Sequence, residues 1–160
     1  MITEEQKPLS ASESIVLIPQ LKQLFLPLGH EVGVLTHNIL SPLCKTCGIT
    51  LQQFYLLSEL KGNPGMTISQ MCSRSGVLLA NFSVIFRKLE RQNLVIKQRN
   101  AKDRRSSSLF LTPDGEALLD EIDAEWGHQM DSLLSRANPK ELACVLEGLK
   151  TLKVMLERAR

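Results

Sequence analysis

Apolar positions recur at helical spacing along most of the chain, and only one short region has β-compatible content instead. Phe82, Ile85, Phe86 and Leu89 stand at i, i+3, i+4 and i+7, which predicts an amphipathic helix with Ala80, Val84, Arg87 and Arg91 on its far face. Upstream, Leu51, Phe54, Leu57 and Leu60 predict a helix behind a capping box formed by Thr50 and Gln53. Thr67 and Gln70 repeat that arrangement ahead of Ile68, Met71 and Cys72, predicting a second, shorter helix. Gly62-Asn63-Pro64-Gly65 breaks the chain between the two, and Ser75-Gly76-Val77 supplies a tight turn before the Phe82 helix.

The flanks are more ambiguous. Residues 1–12 are polar without a period and read as a frayed tail. The apolar stretch that follows holds Pro19 and Pro27, each of which removes a helical hydrogen bond, so a short helix from about Pro19 and then a break are expected. A first long helix is expected from about Gly29 to Ser41, ended by Pro42 ahead of a turn containing Cys44, Cys47 and Gly48. Val95-Ile96-Lys97-Gln98-Arg99 and Ser107-Ser108-Leu109-Phe110-Leu111 are β-compatible and flank a charged, turn-forming stretch, predicting a hairpin. Thr112-Pro113 opens a long helix striped by Leu118, Ile122, Trp126, Met130, Leu133 and Leu134. Asn138-Pro139 opens the last helix, striped by Leu142, Val145, Leu146, Leu149, Leu152 and Leu156. The expected fold is mainly α with a small β-hairpin wing, a winged helix-turn-helix with further helices at both ends.

The length of 160 residues suits one domain able to bury its own core, and 43% apolar with 22% charged residues excludes a disordered or collagen-like chain. Apolar runs fall short of the roughly 20 residues of a membrane helix, and the first residues lack the pattern of a signal peptide, so a cytoplasmic protein is expected, without a membrane partner. The net charge of +2 identifies no partner, but its distribution does. Between Arg87 and Arg105 stand eight bases against two acids, followed by the acidic block Asp114, Glu116, Asp120, Glu121, Asp123 and Glu125.

A basic run alone is most often a solvated surface. Joined to a glycine turn, an amphipathic helix and a hairpin, it predicts double-stranded DNA as partner. The Phe82 helix would enter the major groove, presenting Ala80, Val84, Arg87 and Arg91 flanked by Asn81, Ser83 and Lys88. Arg87 suits guanine or phosphate, Asn81 suits adenine, and Ala80 with Val84 suits thymine methyl groups. Arg99, Lys102, Arg104 and Arg105 at the hairpin would reach phosphates or the minor groove.

Leu94-Val95, Asp103-Arg104-Arg105-Ser106 and Leu111-Thr112-Pro113-Asp114-Gly115 closely resemble the wing signature of MarR-type transcription regulators, a DxR followed by an LTxxG. The stretch Gly48-Ile49-Thr50-Leu51-Gln52-Gln53-Phe54 resembles the family's entry into the helix-turn-helix, and Arg87-Lys88-Leu89-Glu90-Arg91 resembles the end of its recognition helix. The resemblance runs from about Gly29 to the C-terminus. It implies a homodimer with intertwined terminal helices, hence a dimerisation region at 13–49 and 113–160 around a DNA-binding region at 50–112. It implies Arg105 as the wing arginine, Asp103 as the residue that orients the wing, and Asn81, Ser83, Val84 and Arg87 at base-reading positions. It also implies a repressor released by a small-molecule inducer bound between the two regions, or by thiol oxidation. Leu78 and Leu79 depart from the family, which often has Ser and Arg there, and Val84 stands where a polar or basic side chain is common.

Cys44 and Cys47 form a CxxC without the second ligand pair of a zinc site, without the following His of haem attachment and outside a βαβ setting. A redox switch and an unreactive pair both remain open. His30, His37 and His128 lack metal-ligand spacing, and GxSxG, phosphate-loop and dinucleotide motifs are missing, so neither a metal, nor another cofactor, nor catalysis is expected. The competing readings are a thiol-disulfide oxidoreductase using Cys44 and Cys47, and a winged helix that binds protein through Leu78, Leu79 and Val84.

Overall fold

A computed structural model describes residues 11–99 and 107–158. Six helices and one hairpin follow in the order α1 (Ala11–Thr46), α2 (Leu51–Gly62), α3 (Ile68–Ser75), α4 (Leu79–Arg91), β1 (Val95–Arg99), β2 (Ser107–Leu111), α5 (Pro113–Leu134) and α6 (Pro139–Arg158). The mainly helical winged helix-turn-helix expected from the residue pattern is the observed architecture.

Local chemistry accounts for most boundaries. Thr50 accepts from the Gln53 amide at 3.2 Å while Gln53 Oε1 accepts from the Thr50 amide at 2.9 Å, and Thr67 with Gln70 forms the same reciprocal pair. Thr112 caps α5 by accepting from Gly115 N at 3.0 Å, with Pro113 in the first turn where its missing N–H costs nothing. The strands pair antiparallel from Val95 opposite Leu111 to Arg99 opposite Ser107. Met66 O accepts from Leu109 N and Leu109 O from Gly65 N, both at 2.9 Å, so the chain before α3 rides along β2.

The N-terminal reading needs correction. The expected short helix, break and second helix are one helix of 36 residues that runs through Pro19, Pro27 and Pro42, and it already includes Ala11 and Ser12 of the expected tail. Each proline deletes one i to i−4 bond, and the intervening turns keep the helix continuous. The stop is set by Gly48, not by Pro42. At φ +73°, Gly48 donates to Lys45 O at 3.1 Å and Ile49 donates to Cys44 O at 2.9 Å, a Schellman closure with buried Ile49 as its apolar anchor. Cys44 therefore lies in the last helical turn, not in a loop.

One core joins the C-terminal end of α1 (Leu40, Cys44) to α2, α3, α4, the hairpin and the first half of α5 (Leu119, Ile122). Phe82 and Phe86 stack within it with ring centroids 5.7 Å apart, fixing the inner face of α4. Outside it lie the N-terminal part of α1, with exposed Leu21, Leu24, Phe25 and Leu26, and α6, in which none of the described residues is buried.

Candidate nucleic-acid interface

Burial on α4 follows the helical period. Phe82, Phe86 and Leu89 point inward and Ile85 is half-buried, leaving Ala80, Asn81, Val84, Arg87, Lys88 and Arg91 exposed. Ser83 is half-buried and its hydroxyl donates back to Leu79 O at 3.0 Å, which ties it to the helix. The arginines lie along the helix: Arg87 Nε donates to Ser83 O and Arg91 Nε to Arg87 O, each at 3.3 Å. The remaining guanidinium donors of both sit on the C-terminal half of the exposed face. Leu78 and Leu79 at the leading end are 74% and 60% exposed, and Val84, midway along the helix, is 64% exposed.

The end of α4 aims the hairpin. Asn93 adopts φ 57°, its N–H donates to Glu90 O at 2.9 Å, and Leu94 N donates to Leu89 O at 3.0 Å, a second Schellman closure built on asparagine. Three contacts then lock this turn to α5. Thr112 Oγ1 donates to Asn93 O, Asn93 Nδ2 donates to Asp114 Oδ2 at 2.7 Å, and Thr112 N donates to Leu94 O at 3.1 Å. Gly115 packs so closely on the Leu94 carbonyl that a Cβ there would lie 2.1 Å from its oxygen. The LTxxG stretch thus acts as the joint between wing, recognition helix and α5. The roles of Asn93 and Gln92 escaped the sequence reading, although an asparagine directly after a helix is a recognisable C-terminal signal.

On the wing itself, Lys97 and Gln98 are exposed on β1 and Arg99 ends that strand. Lys102, Asp103, Arg104 and Arg105 lie outside the described residues.

The two closures touch. Gln92 Nε2 donates to Gly48 O at 3.1 Å, joining the end of α4 to the end of α1 beside the CxxC. Cys44 is fully buried and Cys47 half-buried. Burial pushes the Cys44 thiol above its ordinary range, with repulsion from a Cys47 thiolate adding to it. Burial likewise raises Cys47, helped by the nearby Glu121 carboxylate. Neither environment favours the thiolate that an oxidoreductase nucleophile needs. His30, His37 and His128 are exposed, and among the described residues no group of three or more His, Cys, Asp or Glu is placed to hold a metal ion. Among the described helices, none is long and apolar enough to cross a membrane.

The helix-turn-helix, the hairpin behind it and the exposed basic face define a winged helix-turn-helix protein. Residues 48–106 match the MarR family. The HTH-type transcriptional repressor MdtR of Bacillus subtilis is 31% identical over 75 residues, covering 47% of this chain and 48% of MdtR, so the chain spans about half the length of that relative. The HTH-type transcriptional regulator FarR of Neisseria gonorrhoeae is 27% identical over 92 residues, 58% of this chain and 63% of FarR. Among solved structures, wild-type apo MarR from E. coli superposes with a TM-score of 0.70 at 21% identity, covering 79% of this chain and 93% of that one. The family match over residues 48–106 and the shared fold agree with the winged helix-turn-helix architecture described above.

Proposed function

We propose that this protein is a homodimeric transcription regulator that binds duplex DNA sequence-specifically, acting in the cytoplasm as a repressor. The observation that carries the reading is the exposed face of α4, where Asn81, Arg87, Lys88 and Arg91 surround Val84 while the Phe82–Phe86 stack holds the helix on the core. Ala80 and Ser83 complete the surface proposed to face the major groove; from the sequence, Arg99, Lys102, Arg104 and Arg105 would add the contacts of the wing, and Asp103 would orient that wing. Supporting it, the relatives bear the names of transcriptional repressors or regulators rather than enzymes, and an S. aureus MepR mutant of the same fold is described bound to an oligodeoxyribonucleotide (TM-score 0.59, 21% identity, covering 84% of this chain and 96% of that one).

The test is titration of labelled duplex from the protein's own upstream region, with footprinting. Arg87→Ala and Arg105→Ala are each expected to weaken binding by about 1 to 3 kcal/mol, and Lys102→Ala by less. Binding should fall steeply as salt rises. Unchanged affinity in both arginine variants would remove α4 and the wing from the interface.

A second reading concerns the release signal. The Gln92 bond to Gly48 favours it, since whatever disturbs the end of α1 reaches the end of the recognition helix directly. We infer that oxidation of Cys44 and Cys47 to a disulfide, with two electrons and two protons passing to a peroxide, releases DNA by opening that turn. Side chains three apart on a helix stand about 5 to 6 Å apart at Cβ, against roughly 3.5 to 4.5 Å in a disulfide, so closure has to distort the Schellman turn. Raised thiol pKa values make the reaction slow. Peroxide is expected to weaken binding over time, dithiothreitol to restore it, and Cys44→Ser/Cys47→Ser protein to lose the response. A response retained by the double variant moves the switch elsewhere, with Cys72 the next candidate. Complete insensitivity of both proteins leaves a small-molecule inducer as the release signal.

A further inference from the structure

The leading half of α4 combines three features that the basic face does not account for. Leu78 and Leu79 are exposed to 74% and 60% at the N-terminal end of the helix that helix-turn-helix proteins insert into the groove, and Val84, exposed to 64%, lies midway along it. Ala80 lies beside Val84 on the same outward face, while Ser83 turns its hydroxyl back onto Leu79 O. The cations come later along the helix, and Arg87 and Arg91 each commit Nε to a backbone carbonyl one turn behind. In the N-terminal half of α4 base edges would therefore meet Leu79, Ala80 and Val84 beside the single amide of Asn81, while the cations follow in the C-terminal half.

We propose that Leu79 and Val84, flanked by Leu78 and Ala80, form an apolar reading edge that recognises the 5-methyl groups of thymines in the major groove. This deepens the DNA-binding reading and rests on it. Only thymine presents a methyl group in that groove, whereas every base pair there also presents donors or acceptors that an aliphatic side chain cannot satisfy. An apolar edge thus gains from thymine and loses from a cytosine amino group left without water. Duplex DNA is favoured over a protein as occupant because Arg87, Lys88 and Arg91 border the patch on its own helix and supply the charge that a phosphate backbone requires.

The experiment uses the full chain and duplexes selected from a randomised pool. The selected duplex is resynthesised with deoxyuridine in place of thymidine, removing the methyl groups and leaving every hydrogen-bonding group in place. Each contacted methyl lost is expected to weaken binding about fourfold, from ~0.8 kcal/mol per buried methyl-sized group at 1.4 kcal/mol per tenfold. Leu79→Ala/Val84→Ala protein is expected to bind both duplexes alike, because the discrimination and not only the affinity is lost. Both substitutions fall on exposed side chains outside the core, and a thermal melt checks the fold. Equal affinity of the parent protein for thymidine and deoxyuridine duplexes would overturn the reading edge while leaving DNA binding intact. Discrimination retained by the double variant would overturn the assignment to these residues. If the pool yields no bound duplex, DNA binding itself fails, and the patch becomes a protein-docking surface.

Discussion

Gly115→Ala is expected to destabilise the fold by ~3 kcal/mol, at the upper end of what overpacking costs, and to abolish tight DNA binding along with it. The added methyl would lie 2.1 Å from Leu94 O and 3.1 Å from Leu94 C, both backbone atoms that no side-chain rotation can move aside. The same carbonyl accepts from Thr112 N, and the next turn carries the bonds from Thr112 to Asn93 and from Asn93 to Asp114. Relief of the clash therefore has to separate α5 from the end of α4, and with it the aim of the wing. Urea titration with a duplex-binding assay on the same preparations measures both effects. Gly127→Ala in the same helix is the matched control: nothing lies within 4 Å of its added methyl, and helix propensity alone should stabilise by about 1 kcal/mol. A Gly115→Ala protein as stable as the parent would show that the joint is not where the family signature exerts its effect.

The contrast between these glycines shows what a sequence reveals. The capping pairs Thr50/Gln53 and Thr67/Gln70, the Thr112 cap and both strands were legible because each is decided by chemistry within a few residues. The face of α4 was legible too, since the period that buries Phe82, Phe86 and Leu89 also dictates what turns outward. The prolines of α1 misled because their local cost is real, yet a long helix can absorb isolated lost bonds, whereas Gly48 stops it with a positive φ and two redirected amides. On α5 the stripe was read through Leu118, Ile122 and Trp126; Ile122 is fully buried as expected, but its buried neighbour is Leu119, with Leu118 and Trp126 at the margin. The link from Gln92 to Gly48 joins positions 44 residues apart and leaves no trace in either local pattern. The role of Gly115 lies between these cases: its place in the signature was visible, but the carbonyl that forbids a side chain there is a tertiary fact.

Disruption of α6 is expected to convert the protein from a dimer into a monomer and to weaken operator binding by a hundredfold or more. Val145, Leu146, Leu149, Met155 and Leu156 are all exposed on this helix, and a helix in a protein draws most of its stability from packing its apolar face. Its apolar face needs a cover, and a second copy can supply one, because the N-terminal part of α1 offers exposed Leu21, Leu24, Phe25, Leu26 and Leu28. Two winged helices joined this way bind the second half-site intramolecularly, an advantage of roughly 10²- to 10⁴-fold that a monomer forfeits. Leu149→Glu tests this by placing a carboxylate within the proposed seam, and a chain ending at Ser135 removes the helix altogether. Light scattering should give about twice the 17.9 kDa chain mass for the parent and about the chain mass for both variants at micromolar concentration. The winged-helix core, from Leu40 to Ile122, does not include α6, so both variants should keep a cooperative melt. A parent chain that is monomeric and still binds an operator tightly would refute the dimer, and a dimer that survives loss of α6 would assign the seam to α1 and α5 instead.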